Sequence, residues 1–98
     1  MKLKKFRWSQ VYESSEEELL DFMQARKITA ERWEAESGEE LKERNIDHET
    51  TIWCAEGSLT MHIDGRAISM QPGDALRVPA NSALEVNAGI SGCVCYES

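Results

Sequence analysis

Apolar and polar positions alternate through most of the second half of the chain. Leu59, Met61 and Ile63 fall on one face of an extended segment, and Thr60, His62 and Asp64 on the other. Alternation with a period of two is the mark of a strand, because successive side chains leave opposite faces. Asp64-Gly65 is a strong two-residue hairpin signal, so residues 66–70 are expected to return along residues 58–63. Residues 50–55 are rich in threonine, isoleucine and tryptophan and predict a further strand, with Glu56-Gly57 turning the chain into the next one. Pro72-Gly73 suits a type II turn, in which glycine supplies the positive φ. Strands are then expected at residues 74–78, 83–86 and 93–96.

Upstream, residues 30–36 alternate, with Trp33 and Ala35 on one side and Arg32 and Glu34 on the other. Residues 41–48 are polar with little periodicity and predict a loop. Phe6-Arg7-Trp8 and Val11-Tyr12 supply one further strand at the N-terminus. Only one stretch has a helical pattern. Ser15 and Glu18 fit a capping box, and Glu16, Glu17 and Glu18 suit the positive end of a helix dipole. Leu19, Leu20, Phe22 and Met23 follow as an apolar stripe, and Arg26 and Lys27 are expected in the last turn, where cations are favoured. Many short strands punctuated by glycine and proline turns predict a mainly all-β sandwich or small barrel. With no internal repeat or linker, residues 1–98 read as one domain, with a strand and helix in 1–27 and a barrel in 28–98.

The run Glu56-Gly57, Ile63-Asp64-Gly65, Pro72-Gly73-Asp74 and Val78-Pro79-Ala80 resembles the cupin superfamily. That resemblance implies a jelly-roll β-barrel with one N-terminal helix. It also implies, in cupins that act as enzymes, a divalent metal held by two histidines and a carboxylate from a first motif and a histidine from a second. Carried onto this chain, those positions do not hold the usual ligands. The carboxylate position falls on Thr50. The two histidine positions fall on Arg44 and Ile46, or on Glu43 and Asn45, and the second-motif histidine falls on Leu84. The glycine expected two residues after Pro79 is Asn81. The resemblance also implies a homodimer, and Trp8 is the candidate subunit contact.

Composition narrows the partners. The 98 residues carry a formal charge of -7, which argues against nonspecific nucleic-acid binding, since displacing counterions needs a basic face. The basic run from Lys2 to Arg7 reads as a solvated start or an edge strand. No apolar run has the length of a membrane span or of a signal-peptide core, so a cytoplasmic protein with neither nucleic-acid nor membrane partner is expected. Cys54, Cys93 and Cys95 are odd in number and read as reduced thiols. Cys93 and Cys95 share a face if extended. Packing is their default reading, and a soft-metal site is the lesser alternative.

The candidate ligand-binding residues are Arg77, Trp53, His48 and Leu84. Arg77 interrupts an apolar strand, and directed inward its guanidinium would clamp a carboxylate or phosphate. Trp53, like Trp33, could line a cavity, and His48 could stand at the barrel mouth. Leu84 makes the interior more apolar, which suits packing or an uncharged ligand. If a metal is bound, His48, Glu49 and His62 are its candidate ligands. No G-x-S-x-G elbow or glycine-rich phosphate loop is present. Three readings stay open. The first is a small-molecule binding or sensing module without cofactor. The second is a divalent-metal enzyme (isomerase, lyase or oxygenase) with an atypical site around His48 and Glu49. The third is a structural or interaction barrel without ligand.

Overall fold

A computed structural model describes residues 3–9 and 14–98 of the chain. The expected strand at Val11 and Tyr12 lies outside the described residues. The elements are β1 (Lys4–Arg7), α1 (Glu16–Ala25), β2 (Glu31–Ala35), β3 (Glu40–Ile46), β4 (Thr50–Ile63), β5 (Arg66–Met70), β6 (Asp74–Val78) and β7 (Ser82–Glu97). The mainly β class and the one N-terminal helix agree with the sequence pattern. No helix among the described residues is long and apolar enough to cross a membrane.

Two long strands organise the molecule. β4 and β7 run antiparallel through the middle, with Cys54 opposite Cys95 in one half and Ile63 opposite Leu84 in the other. Register shifts between Cys54 and Glu56 and between Gly57 and Leu59 bend the pair between these halves. One half of the sheet follows the order β1-β6-β4-β7-β2, and in the other β5 joins β4 and β3 joins β7. Glu56-Gly57 is therefore a bulge in one strand and not the turn expected from sequence. Likewise, residues 83–86 and 93–96 belong to a single strand, β7, whose glycines let it bend. The expected loop at 41–48 is mostly strand β3. Its side chains are largely exposed, and a register shift between Leu41 and Arg44 breaks the alternation that would have announced it.

The turns match their chemistry. Asp64 and Gly65 both have positive φ, 48° and 85°, as a type I′ hairpin requires. Gly73 has φ 97° and the Asp74 N–H donates to the Gln71 carbonyl at 2.9 Å, closing the expected type II turn. Asn81 stands at φ 67°, a left-handed conformation that asparagine tolerates better than most residues, so losing the expected glycine there leaves the turn intact.

The bend folds the sheet over one apolar interior. Ile52, Cys54, Leu76, Val78 and Cys95 from one half meet Met61, Ile63, Met70, Leu84 and Val86 from the other. A second cluster covers the outer face of the first half. There Trp8, Leu19, Met23, Trp53, Ala55, Ala75 and Tyr96 pack together. Residues 52–55 (Ile, Trp, Cys, Ala) are all buried because that half of β4 has the barrel interior on one face and α1 on the other. Phe22 of α1 lies 5.9 Å from Trp8 and 5.7 Å from Trp53, and Phe6 meets Trp53 edge-on at 5.7 Å. Trp8 is thus covered by the helix, and its Nε1–H donates to the Cys54 carbonyl at 3.1 Å. It is not the free subunit contact suggested by sequence.

α1 begins as predicted and ends early. Ser15 is the N-cap, and its hydroxyl accepts from the Glu18 N–H at 3.3 Å. The helix stops at Ala25, so Arg26 is the C-cap and Lys27 lies outside the last turn. Lys27 sits at φ 57°, with its N–H on the Gln24 carbonyl and the Ile28 N–H on the Met23 carbonyl. This is a Schellman ending with lysine where glycine is preferred. Lys27→Gly is expected to stabilise the protein by about 1 kcal/mol, read from urea denaturation midpoints, because a left-handed side chain costs about that much. An unchanged or lower midpoint would show that the lysine is at ease there.

A polar group ties α1 to the sheet. Glu16 accepts from Arg32 Nε at 2.6 Å and from the Tyr96 hydroxyl at 2.5 Å. The Arg32 and Tyr96 donors hold the Glu16 carboxyl below its usual value of 4.5. A depressed folded-state value means that the carboxylate stabilises the fold above the unfolded pKa and loses that contribution as pH falls through the folded value. The stability difference between wild type and Glu16→Gln should accordingly shrink as pH is lowered below about 4.5. A difference that stays constant down to acid would show that the charge on Glu16 contributes nothing.

Candidate functional site

Strand period decides which face each residue meets. On β4 and β6, Ile52 lies opposite Leu76 and Thr50 opposite Val78, and all four are buried in the barrel side. Thr51 lies opposite Arg77 and Trp53 opposite Ala75, on the outer side. Arg77 is therefore exposed outside the barrel, 3.7 Å from Glu49 and with its Cζ 5.9 Å from the Phe6 ring. An inward clamp by Arg77 does not form. Trp53 is buried under α1, with its Nε1–H donating to Ser98 Oγ at 3.0 Å, and does not line the interior.

The remaining candidates are dispersed. His48 lies in the loop before β4, 76% exposed, with Nδ1 2.6 Å from Asp47. His62 is on the outer face of the other half, with Nε2 3.2 Å from the Asn87 amide nitrogen. With Glu49 engaged by Arg77, the three residues suggested as metal ligands are not brought together. Among the described residues no three histidine, cysteine, aspartate or glutamate side chains are arranged to hold a metal. Leu84 behaves as expected, buried in the barrel wall.

Most of the interior is filled by its own side chains. Open space remains where the two halves part, between the edges β2 and β3. There a cleft of about 420 Å³ is lined by Trp33, Leu41, Leu84 and Val86, with Lys42, Arg44, Glu31 and Glu97 among its charged residues. Trp33 faces this way because it lies opposite Cys95, and Leu41 because it lies opposite Val86. Arg44 of β3 makes a bidentate ion pair with Glu97 of β7, one contact being 3.1 Å from Nη1 to Oε2. This pair links the two halves at the cleft. The Trp33 indole nitrogen is buried and has no acceptor. Leaving such a donor unsatisfied costs about 1–3 kcal/mol.

Arg44 and Glu97 are 53 residues apart, and no motif in the sequence joins them. Trp33 was legible as a cavity candidate from its alternation, whereas the ion pair was not legible at all.

The register also decides between the two placements left open for the histidine positions. Arg44 lies opposite Leu84 and Ile46 opposite Ser82, so Arg44 and Ile46 take the inward places, while Glu43 lines an outer depression with His62 and Glu85. A guanidinium has no lone pair to give, isoleucine and leucine have no donor atom, and the Thr50 hydroxyl, whose proton goes to the His48 carbonyl at 3.0 Å, leaves one neutral oxygen as the sole donor of the four. These four side chains do not fit a divalent cation.

Solved structures share this architecture. A DUF861 family protein from Thermotoga maritima superposes with a TM-score of 0.67 over 99% of this chain and 98% of its own, at 15% identity. A cupin superfamily protein from Desulfitobacterium hafniense gives 0.64 over 98% of this chain and 74% of its own, at 16% identity. The chain has the cupin fold. No family model matches it. A stretch of 35 residues is 51% identical to quercetin 2,3-dioxygenase of Bacillus subtilis, covering 36% of this chain and 10% of that enzyme. The chain thus spans about a tenth of that relative, and at these identities the solved structures establish the cupin fold alone.

Proposed function

We propose that this cupin-fold chain is a small-molecule binding module that works without a metal, taking its ligand in the cleft between β2 and β3. The observation that carries the reading is the buried Trp33 N–H without an acceptor on the wall of that cleft. A ligand oxygen reaching it after a small rotation of the ring would satisfy the donor. Leu41, Leu84 and Val86 offer apolar surface to the rest of the molecule. A volume of about 420 Å³ lies within the range of small-molecule sites, roughly 300–1,000 Å³. The side chains at the metal positions support cofactor-free binding for the reason already given: one neutral hydroxyl oxygen is the sole donor atom among them.

The ligand class favoured by this lining is an uncharged ring compound bearing several hydroxyl or carbonyl oxygens, its ring on Leu41, Leu84 and Val86 and its oxygens toward the charged side chains of the rim. The matched enzyme's name specifies quercetin, an aromatic compound of that kind, which makes it a rational first probe. Calorimetric titration of quercetin and a panel of small phenols in the presence of chelator should give saturable binding. Trp33→Phe, which keeps an aromatic ring of smaller size and removes the donor, should weaken it by about tenfold, the worth of one hydrogen bond. Arg77→Ala should change nothing. Binding that appears only with added divalent metal would favour the enzyme reading. No binding by any member of the panel would favour a barrel that serves as structure.

A further inference from the structure

The three cysteines lie together inside the barrel. Cys54 of β4 is the direct cross-strand partner of Cys95 on β7, and Cys93 precedes Cys95 by two residues on the same inward face. Cys95 therefore stands beside both other thiols, Cys93 lies opposite Ala35 of β2, and the Cys54 thiol also reaches the Glu56 carbonyl at 3.8 Å. All three are free thiols. They differ in access: Cys54 and Cys95 have no exposure, whereas Cys93 retains 4% and lines a surface pocket of about 310 Å³ with Glu34, Glu56, Gly57 and Ser91. The sequence reading assigned these residues to packing, and the ligand cleft does not use them.

We propose that Cys93, Cys95 and Cys54 form a thiol relay that reacts with hydrogen peroxide at Cys93 and stores the oxidation as a Cys54–Cys95 disulfide. Contact with the Cys95 thiol and the Ala35 N–H holds the Cys93 thiol below its ordinary value, against burial and the charge of Glu39. Its contacts with Cys54 and Cys93, together with burial, push Cys95 far up, so it stays protonated and serves as the donor. The thiolate is the nucleophilic form, which makes Cys93 the point of attack. Glu34 and Glu56 beside the pocket disfavour anionic oxidants and admit a small neutral one.

The steps balance. The Cys93 sulfur attacks one peroxide oxygen, the O–O bond breaks, and the departing hydroxide takes a proton and leaves as water. Cys93 is then a sulfenic acid. The Cys95 sulfur attacks the Cys93 sulfur, the S–O bond breaks, and the hydroxyl leaves with the Cys95 proton as a second water. Residues two apart on an extended strand are about 6.6 Å apart, at the limit for a disulfide, so this first bond is strained. Cys54 lies opposite Cys95, where antiparallel partners are about 4.5–5.5 Å apart, well within disulfide range. The Cys54 sulfur therefore displaces Cys93, its proton passing to the released thiolate. Overall two thiols are oxidised by two electrons and peroxide is reduced to two waters.

The test treats the folded protein with a small excess of hydrogen peroxide, alkylates the remaining thiols in denaturant, and maps the tryptic peptides. Two of the three thiols should be lost, with a disulfide joining the peptide of residues 45–66 to that of residues 78–98. Dimedone present during oxidation should label Cys93 first. Cys95→Ala should accumulate the labelled sulfenic acid, and Cys93→Ala should slow thiol loss by at least about tenfold. Dimedone labelling of the wild type does not depend on whether either variant folds. First labelling at Cys54 or Cys95 would overturn the relay. So would thiols that react only after unfolding, or a Cys93→Ala protein oxidised at the wild-type rate.

Discussion

Gly57→Ala is expected to destabilise the protein by about 2–5 kcal/mol, while the same change at Gly65 costs about 1–2 kcal/mol. Both glycines have positive φ, 75° and 85°, so the backbone penalty for a side chain is similar. Their surroundings differ. A Cβ on Gly65 meets nothing within 4 Å, whereas one on Gly57 would stand 2.1 Å from the Gly92 carbonyl oxygen and 2.9 Å from the Cys93 Cα. Both of those atoms are backbone, so relief requires moving β7 away from β4 at the bend. That bend sets which residues of each strand face the interior, and a shift there is felt on both sides of the barrel. Urea unfolding of the two variants side by side separates the steric part from the conformational part. Equal losses would mean that the crossing is looser than the geometry says.

The same bend explains what the sequence concealed. On β4 the inward residues are 50, 52 and 54 before it and 59, 61 and 63 after it, and on β7 they change from 84 and 86 to 93 and 95. A change of parity announces that the chain does something between two strands, but a turn and a bulge produce the same pattern. Glycine at the change fits both. The isolated hairpin at Asp64-Gly65 was legible because two left-handed residues in a row have few other uses. β3 was invisible because its inward residues Leu41 and Ile46 are separated by an odd interval, and its strand character comes from pairing with β7.

The candidate site was legible to a similar degree. Alternation sorts side chains into two faces without saying which face is inside. Trp53 lies on the outer side because α1 gives that face of β4 its own apolar cover and lets a tryptophan be buried there, and Arg77 shares that side by its register with Thr51 and stays exposed. Leu84 lies inward with Ser82 and Val86, two residues to either side, and Trp33 takes its direction from Cys95 opposite it. The cleft itself depends on how far apart β2 and β3 stand, and no spacing in the sequence encodes that distance.

The four positions facing the interior where metal ligands were sought should accept them when supplied. In the variant Arg44→His, Ile46→His, Thr50→Glu, Leu84→His, metal-free protein is expected to melt lower than wild type, because two imidazoles and a carboxylate enter the buried places of Ile46, Leu84 and Thr50, and the half-exposed Arg44 loses its ion pair with Glu97. Zinc or manganese should then bind at one per chain and raise the melting temperature by about 15 °C or more at a thousandfold excess over the dissociation constant. The effect should fade below about pH 6.5 as the histidines protonate. Arg44→His alone should bind no metal, and neither should the wild type, since single donors do not make a site. If the fourfold variant cannot be folded, Arg44→His with Leu84→His retains Ile46 and Thr50 and places two imidazoles on directly opposed residues, where a weaker but measurable rise is expected. Folded variants that take up no metal would show that the four positions do not converge. They would also remove the argument that replacement of ligand atoms is what separates this chain from metal-holding proteins of the same fold.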